Sequence, residues 1–237
     1  MKYFLPVVAV AADMKGKIVP RERLGGQPWG LTPAQWPQCA HHHKPQSLLA
    51  QLAHHPERLD LGGEGRMLLV FQCNSEPGLC ASWKAGSGCN ACFVVLPNEL
   101  TGTPEDVQPD APAPHDRAVV ITGWDEHDDG IPSTLAPKFL KSTAYEALPE
   151  ALLSKITDGT RLGGAPYWLQ SPDEAPKKAF RFMGQLGSSY RFPTVLNGSE
   201  LQDQERRGPD FGDAGIGYIF LKEGWDRPKT LFFWQCM

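Results

Sequence analysis

The stretch RLGGQPW (residues 23–29) occurs a second time as RLGGAPYW (residues 161–168). Paired glycines permit a left-handed backbone or a close approach of two chain segments, and the proline after them fixes a turn or a strand edge. The tryptophan then covers apolar surface just beyond the turn. The motif therefore predicts the same turn at two places in the fold.

Three further similarities follow the two copies of this motif in the same order. They pair residues 48–52 with 182–186, residues 65–71 with 215–220, and Trp83 with Trp225, each tryptophan preceding an apolar run. Ordered self-similarity constrains the architecture, so we expect two internally duplicated halves packed as one globular unit. Gln51 and Gln185 lie inside apolar strands, and we expect each amide to bond nearby backbone, because an unpaired buried amide is costly.

The composition favours turns and short strands over a helical bundle. Glycine (24) and proline (22) make about a fifth of the 237 residues, against a usual ~12%. Residues 101–116 contain four prolines and four acidic residues, which is typical of a solvated connector. We predict an α+β fold, strand-rich and mostly antiparallel, with halves at 1–100 and 117–237. Apolar spacing predicts a helix over 144–157.

Charge and hydropathy exclude several classes of protein. The formal net charge is −4 and the pI is about 6.0, whereas a nucleic-acid binder normally has a basic face. No apolar stretch approaches the ~20 residues that span a bilayer. The apolar start of the chain lacks the length and basic region of a secretory signal, so we expect a buried first strand. These features predict a cytoplasmic protein whose six cysteines are reduced or metal-bound.

Cysteine and histidine residues of the first half have spacings that suit a metal ion. Cys39 and His42 form a Cys-x-x-His pair, and Cys73 and Cys80 follow a predicted strand. Tetrahedral zinc takes four thiolate or imidazole ligands, commonly as two close pairs that folding brings together. We therefore predict a zinc site at Cys39, His42, Cys73 and Cys80.

Two other interpretations of the cysteines stay open at this level. Cys89 and Cys92 form a Cys-x-x-Cys that competes for the second pair of ligands, although their small neighbours also suit buried thiols entering a core strand. Alternatively, all six cysteines, including Cys236 near the end of the chain, are reduced residues beside a histidine-rich loop.

The signatures of several enzyme classes are absent from the sequence. It has no Gly-x-Ser-x-Gly elbow, no Gly-x-Gly-x-x-Gly after a strand and no Gly-Lys-Ser/Thr loop, so we expect no nucleotide cofactor. A thiol dyad of a cysteine with His54 or His55 is conceivable, but the sequence selects no pair. We predict no catalytic residue, and the alternative function is an enzyme with a Cys/His thiol or zinc centre of unknown reaction.

Six residues are predicted to contact a partner protein: Trp29, Trp36, Trp168, Asp125, Asp128 and Asp129. Aromatic side chains dominate interface energetics, although each tryptophan also suits a core or turn-covering position. The acidic run 125–129 lacks the ligand spacing of a calcium loop and is predicted to be an exposed loop that suits a basic partner.

Taken in order, these motifs resemble the bacterial YwqG-like family, a domain of unknown function. The first half carries Leu24-Gly25-Gly26-x-Pro28-Trp29, Trp36-Pro37-x-Cys39, Pro45-x-x-Leu48-Leu49-x-Gln51, Val70-Phe71-Gln72-Cys73-Asn74, Pro77-Gly78-x-Cys80-x-x-Trp83 and Gly88-x-Asn90-Ala91. The second half carries Gly163-Gly164-x-Pro166, Phe182-x-x-Gln185-Leu186 and Gly212-Asp213-Ala214-Gly215. The resemblance covers nearly the whole chain.

The resemblance implies an α+β fold of two related halves and no established reaction. The family is more distantly similar to eukaryotic programmed cell death 2 proteins, which are dedicated chaperones of a nascent ribosomal protein, and YwqG-like genes also occur near toxin loci. Related members often have Cys-x-x-Cys where this chain has Cys39-x-x-His42, and histidine can replace cysteine as a zinc ligand. We therefore expect a non-catalytic module that binds a toxin or client protein, as an immunity or chaperone-like protein, and binds neither nucleic acid nor membrane.

Overall fold

The computed structural model describes residues 1–10, 22–76, 79–102, 119–176, 179–196 and 200–237. The strands are β1 (Lys2–Val10), β2 (Arg23–Leu24), β3 (Ser47–Ala53), β4 (Met67–Gln72), β5 (Asn90–Val95), β6 (Val119–Asp128), β7 (Arg161–Gly163), β8 (Arg181–Gly187), β9 (Ser189–Leu196), β10 (Glu200–Arg207), β11 (Ile216–Lys222) and β12 (Lys229–Gln235). Two short α-helices are α1 (Ser142–Glu146) and α2 (Glu150–Leu153). Short 3-10 helices cover Pro33–Gln35, Pro97–Glu99, Ser133–Leu140 and Pro172–Glu174.

One antiparallel sheet dominates the described part of the chain. Its ten strands follow the order β12-β11-β8-β7-β1-β6-β2-β3-β4-β5, and β9 and β10 form a separate two-stranded sheet. The long strands β1 and β6 pair at the centre, from Lys2 opposite Asp128 to Val10 opposite Val119. The first strand is therefore confirmed, as is the strand-rich, antiparallel architecture. Its predicted burial is wrong, because Phe4 is the only buried residue over positions 2–9 of β1 and Val7 is 39% exposed.

Burial explains why the strands of the first half are continuous apolar runs. Every residue of β4 is buried, and so is every residue of β3 except the last. A strand that is covered on both faces has apolar residues throughout, without the alternation of a half-exposed strand. By contrast, β6 is buried at its start and exposed over its acidic end, so its sequence changes from valine and isoleucine to aspartate and glutamate.

The sheet curls until its two edge strands lie side by side, which gives a nearly closed barrel. The Thr230 hydroxyl of β12 donates to the Cys92 carbonyl of β5. Just before β12, the Arg227 guanidinium donates to the Val94 carbonyl at 3.2 Å and pairs with Glu99 at 2.6 Å. An exposed sheet edge invites unwanted pairing, and this arrangement covers both edges.

One apolar cluster draws on both halves of the chain. It includes Phe4 of β1, Leu24 of β2, Leu162 of β7 and Ile219 of β11, all of them buried. The two predicted halves therefore share one core. No helix among the described residues is long and apolar enough to cross a membrane.

The two glycine-glycine-proline motifs occupy matching places in the sheet. Arg23 pairs with Gln51 and Leu24 with Ala50, while Arg161 pairs with Gln185 and Leu162 with Gly184. Both glycines of each motif have a positive φ, between 66° and 75°. In both motifs the arginine donates to the carbonyl of the residue four positions later, which is Gln27 in one and Ala165 in the other.

The buried glutamines bond to backbone as predicted. The Gln51 amide accepts from the Trp29 N–H at 2.8 Å and donates to the Trp29 carbonyl at 3.1 Å. The Gln185 amide accepts from the Tyr167 N–H at 3.0 Å and donates to the Gly159 carbonyl at 2.9 Å. Both side chains are fully buried, so these bonds replace the water that each amide loses on folding.

Two other local predictions are wrong. The helix predicted over 144–157 is interrupted between α1 and α2, because Pro149 lacks the N–H that a continuous helix requires and has the extended backbone of an N-cap. The acidic run 125–129 is mostly strand: Asp125 pairs with Leu5 and Asp128 with Lys2 across β1 and β6. Most of the predicted connector, residues 103–116, lies outside the described residues.

Candidate metal centre

A tight turn brings Cys39 and His42 together. The turn follows the 3-10 helix Pro33–Gln35 and is closed by the Cys39 carbonyl, which accepts from the His43 N–H at 2.8 Å. His43 has a φ of 54°, the left-handed conformation that lets the chain reverse there. As a result the His42 backbone N–H points at the Cys39 sulfur, with N and Sγ 3.5 Å apart.

The other two predicted ligands come from the segment that follows β4. Cys73 is the first residue after that strand, and its N–H donates to the Cys89 carbonyl at 2.9 Å, which extends the pairing of β4 with β5 by one more bond. Cys80 lies in the loop between these strands, and its carbonyl accepts from the Ser82 N–H at 2.7 Å. The sheet therefore fixes the position of Cys73, and the loop between β4 and β5 brings Cys80 close to it.

The structure brings all four predicted zinc ligands into one cluster. One ligand atom from each of Cys39, His42, Cys73 and Cys80 lies within 4.8 Å of the other three. His42 Nδ1 is 3.7 Å from Cys39 Sγ and 3.2 Å from Cys73 Sγ. Tetrahedral zinc, with bonds of ~2.3 Å to sulfur and ~2.0 Å to nitrogen, places its ligand atoms roughly 3.5–3.8 Å apart. The cluster is thus close to the size that a bound ion requires.

The three thiols of this cluster are shielded from solvent. Cys39, Cys73 and Cys80 are 0%, 1% and 3% exposed, and the His42 side chain is 9% exposed. A tetrahedral site with four protein ligands and no solvent-facing position is the form of a structural zinc centre, whereas catalytic zinc keeps a position for water or substrate.

Burial and neighbouring groups give the thiols different acidities. Burial raises the pKa of Cys73 and that of Cys80. Burial also raises the pKa of Cys39, but hydrogen bonds from the backbone of His42 and His41, together with those from the Cys73 and Cys89 side chains, lower the Cys39 pKa overall. Several thiolates cannot share so small a volume without a cation, because their charges repel. The donor set is therefore chemically suited to a divalent ion.

Glu76 lies beside the remaining nitrogen of the histidine. His42 Nε2 is buried and has no hydrogen-bond partner among the described residues, and it lies 3.7 Å from Glu76 Oε2. Metal-ligating histidines usually donate their second N–H to a carboxylate or carbonyl, which fixes the tautomer and raises the basicity of the ligand. Glu76 is placed to do this after a small side-chain movement, since its own side chain is half exposed.

The two cysteines of the Cys-x-x-Cys motif separate in the fold. Cys89 packs against Cys39, Cys73 and Cys80, whereas Cys92 packs against the main core and has a pKa raised to about 12 by burial. Residues three apart in an extended segment point to opposite faces, so the pair cannot serve one ion together. Only Cys89 is near the candidate centre.

Several of the predicted partner-binding residues are placed inside the fold. Trp36 and Trp168 are buried, and their indole N–H groups donate to the carbonyls of Gln46 and Phe139 at 2.7 and 2.8 Å. Trp29 is half-buried beside Gln51. These tryptophans occupy the core or turn-covering positions that were the competing interpretation.

The three predicted aspartates differ in accessibility. Asp125 and Asp128 are exposed. Asp129 is not, because its side chain is 3% exposed and accepts from the Met1 ammonium at 2.5 Å and from the Ile131 N–H at 2.8 Å. Of the three predicted aspartates, only Asp125 and Asp128 are therefore available to another molecule.

The most exposed aromatic side chain among the described residues was not predicted as a contact. Trp225, between β11 and β12, is fully exposed, and Leu79 and Trp83 near the metal centre are 68% and 41% exposed. The sequence marked Trp225 only as the counterpart of Trp83 in the repeat. Its position between a glycine and an aspartate, in a short link between two strands, is the signal that could have identified it.

The chain matches no protein-family model and no curated protein. The resemblance to the YwqG-like family therefore rests on the ordered motifs alone and stays a prediction.

Proposed function

We propose that Cys39, His42, Cys73 and Cys80 hold a structural zinc ion. The observation that carries the proposal is the convergence of four donor atoms within 4.8 Å of one another from three separate parts of the chain. Most of the residues around these donors lie in turns and loops and not in strands. An ion bound to all four side chains would therefore hold these turns and loops in fixed positions. Zinc bound only by the folded form stabilises that form by mass action.

The metal content of the protein tests this proposal. The chain is expressed without an affinity tag, purified without chelators and analysed for metal by mass spectrometry. We expect about one zinc per chain. A zinc content below about a tenth of an equivalent, in protein that is folded and has all its thiols reduced, would contradict the proposal.

We further propose that the protein is a non-catalytic, cytoplasmic protein-binding module of the YwqG-like family, with an immunity or chaperone-like role. A closed zinc centre supports a scaffold more than an enzyme, because the three buried thiols leave no accessible nucleophile or open ligand position. Exposed Trp225 supplies an aromatic anchor of the kind that dominates protein interfaces, and Asp125 and Asp128 supply charge for a basic toxin or client. The free thiols suit a reducing compartment.

Co-purification from the native host tests the binding role. Wild-type protein should retain a partner at about one per chain in physiological salt, and the variants Trp225→Ser and Asp125→Asn/Asp128→Asn should each weaken that retention. Glu146→Gln/Glu150→Gln removes two exposed carboxylates elsewhere and should leave it unchanged. Retention that is equal in all variants, or no stoichiometric partner for wild type, would contradict the proposed role.

We also infer that the two halves, 1–100 and 117–237, are copies of one five-stranded unit. Strands β1 to β5 would correspond in order to β6, β7, β8, β11 and β12, with β9 and β10 inserted in the second copy. In the sheet, β1 and β6 lie at the centre. On one side of them the strands follow in the order β2, β3, β4, β5, and on the other side the corresponding strands follow in the order β7, β8, β11, β12. The first strands are exchanged, since β1 pairs with β7 and β6 with β2.

The registers of the strands support this inference. A bulge interrupts the β3–β4 pairing between Leu48 and Ala50, two residues before Gln51. The β8–β11 pairing shifts at the matching place, between Phe182 and Gly184, before Gln185. A shared irregularity at a corresponding position is characteristic of related structures, because bulges are retained within families.

A further inference from the structure

Cys89 places a fourth thiol beside the candidate zinc centre. Its side chain is 4% exposed and packs with those of the three cysteine ligands. Two backbone hydrogen bonds hold it there: the Cys89 carbonyl accepts from the Cys73 N–H at 2.9 Å, and the Gly88 carbonyl accepts from the Ala40 N–H at 3.0 Å. The four donor atoms that lie within 4.8 Å of one another belong to Cys39, His42, Cys73 and Cys80, and Cys89 packs beside them as a fifth donor side chain, where a tetrahedral ion takes four.

We propose that Cys89 is a reserve ligand, which takes the fourth position as a thiolate when His42 does not fill it. The proposal rests on the zinc function proposed above. It gives the centre a second form with four cysteine ligands, and such a form suits soft, thiophilic divalent cations, because thiolate is a softer ligand than imidazole.

The environment of Cys89 leaves its sulfur available to an ion. The Cys89 thiol contacts the Ser87 carbonyl at 4.0 Å from Cys89 Sγ, which is the long limit of a sulfur hydrogen bond. Little is lost when that contact is given up. The other two cysteines cannot take this role, since Cys92 packs against the main core and Cys236 lies against Gly212, and neither belongs to the cysteine cluster.

His42 is the ligand that exchange would replace. Its side chain is 9% exposed, on the turn closed by the Cys39–His43 and Cys39–Lys44 backbone bonds, whereas the three cysteine ligands are 3% exposed or less. In the exchange one metal–nitrogen bond breaks and one metal–sulfur bond forms. The Cys89 thiol gives its proton to solvent, and no electron is transferred.

Cobalt titration of the full chain tests the proposal, because Co²⁺ occupies tetrahedral zinc sites and its sulfur-to-metal absorption counts the thiolates. The variant His42→Ala should bind one Co²⁺ per chain with this absorption raised by about a third over wild type, as four thiolates replace three. His42→Ala/Cys89→Ala should bind at least about tenfold more weakly, since even changes outside the ligand set cost that much. The matched control His42→Ala/Cys236→Ala removes a thiol outside the cluster and should behave as His42→Ala.

Each other outcome has a definite meaning. If His42→Ala keeps the absorption of three thiolates, or if the two double variants bind alike, Cys89 is not a ligand and the reserve role fails while the zinc centre stands. If Cys89→Ala alone lowers the absorption, Cys89 is a resident ligand and the reserve role is overturned. If wild type takes up no Co²⁺, the zinc centre itself fails. Circular dichroism checks the fold of each variant. If His42→Ala/Cys89→Ala unfolds, His42→Ala/Cys89→Ser takes its place.

Discussion

At the scale of single residues, the candidate zinc centre draws its four donor atoms from turns, a loop and the end of one strand. Cys73 is the ligand most firmly placed by the sheet, since it directly follows β4 and bonds the Cys89 carbonyl. Cys39 and Cys80 lie on loops, and the Cys39 turn is tied to the same end of the sheet by the Ala40 N–H, which donates to the Gly88 carbonyl at 3.0 Å. The stability of the metal-bound protein should therefore depend on Cys73 far more than that of the metal-free protein.

We expect Cys73→Ser to abolish zinc binding and to lower the midpoint of thermal unfolding. The hydroxyl is a much poorer zinc ligand than a thiolate, and the stabilisation by bound ion is then lost. Differential scanning fluorimetry of the two proteins, with and without added zinc, measures the change. Cys236→Ser is the control and should respond to zinc as wild type does. Zinc that raises the midpoint of Cys73→Ser as much as that of wild type would refute the ligand assignment.

The two buried glutamines give a second prediction at this scale. Gln51→Leu leaves the Trp29 N–H and carbonyl without the partners that Gln51 provides, and we expect a loss of about 1–3 kcal/mol in the free energy of unfolding. Gln185→Leu should cost a similar amount if the halves are copies. Urea denaturation measures both. The exposed Gln27→Leu is the control and should change stability by less than about 0.5 kcal/mol; an equal loss there would show that the amide bonds are not the cause.

At the scale of elements, the glycine-glycine-proline motif lets short strands lie close to long ones. Gly163 ends β7 with a φ of +75°, and a Cβ there would come within 2.7 Å of the Lys2 carbonyl of β1. Gly159, just before β7, has a φ of +83°, but a Cβ would meet nothing within 4 Å. Gly163 is thus needed both for its left-handed backbone and for the close approach to β1, whereas Gly159 is needed for its left-handed backbone only.

This contrast separates backbone strain from close packing. We expect Gly159→Ala to cost about 1 kcal/mol, the usual price of a left-handed alanine. Gly163→Ala should cost clearly more, because a backbone carbonyl cannot move aside and the β1–β7 pairing must shift. Chemical denaturation of the two variants gives the difference. Equal losses would mean that β7 tolerates the added carbon and that the close approach is not what requires glycine.

The elements also show which parts of the fold the sequence could predict. The repeated motif identified the two matching turns beside Gly25 and Gly163, the apolar strands predicted the bracing glutamines, and the Cys/His spacing predicted the four side chains that cluster, because each depends on local chemistry. The acidic strand end at Asp125 was missed, since pairing with β1 overrides a composition typical of loops. The burial of Trp36 likewise depends on contacts with distant residues. The helix break at Pro149 is instead a local effect, since proline lacks the N–H that a continuous helix requires.

At the scale of the whole molecule, the two halves pair through β1 and β6 at the centre of the sheet and meet again where the edge strands β5 and β12 lie side by side. We call this second contact the seam. Glu99, just after β5, pairs with Arg227, just before β12, at 2.6 and 3.0 Å. It also accepts from the Leu96 N–H at 2.8 Å. The hydrogen bond from Arg227, followed by that from the Leu96 backbone, holds the pKa of Glu99 below its usual range.

The seam should make stability depend on pH in a defined direction. Because the Glu99 pKa is lowered in the folded state, the unfolded chain binds this proton more readily, and stability rises with pH through the acid range. The contribution is fully present above the ordinary glutamate pKa of ~4.3 and is lost as pH falls through the lower folded value. The pair is about a third exposed, which limits its contribution to roughly 1 kcal/mol or less.

Glu99→Gln tests this coupling against wild type by urea denaturation at a series of pH values. We expect the variant to be less stable at pH 7, by an amount that shrinks as the pH falls below ~4 and the wild-type carboxylate takes up its proton. Glu146→Gln removes an exposed carboxylate away from the seam and should show no such convergence. A deficit of Glu99→Gln that stays constant down to pH 3 would mean that the side chain acts at the seam through its shape, and that charge does not help to hold the two edges of the sheet together.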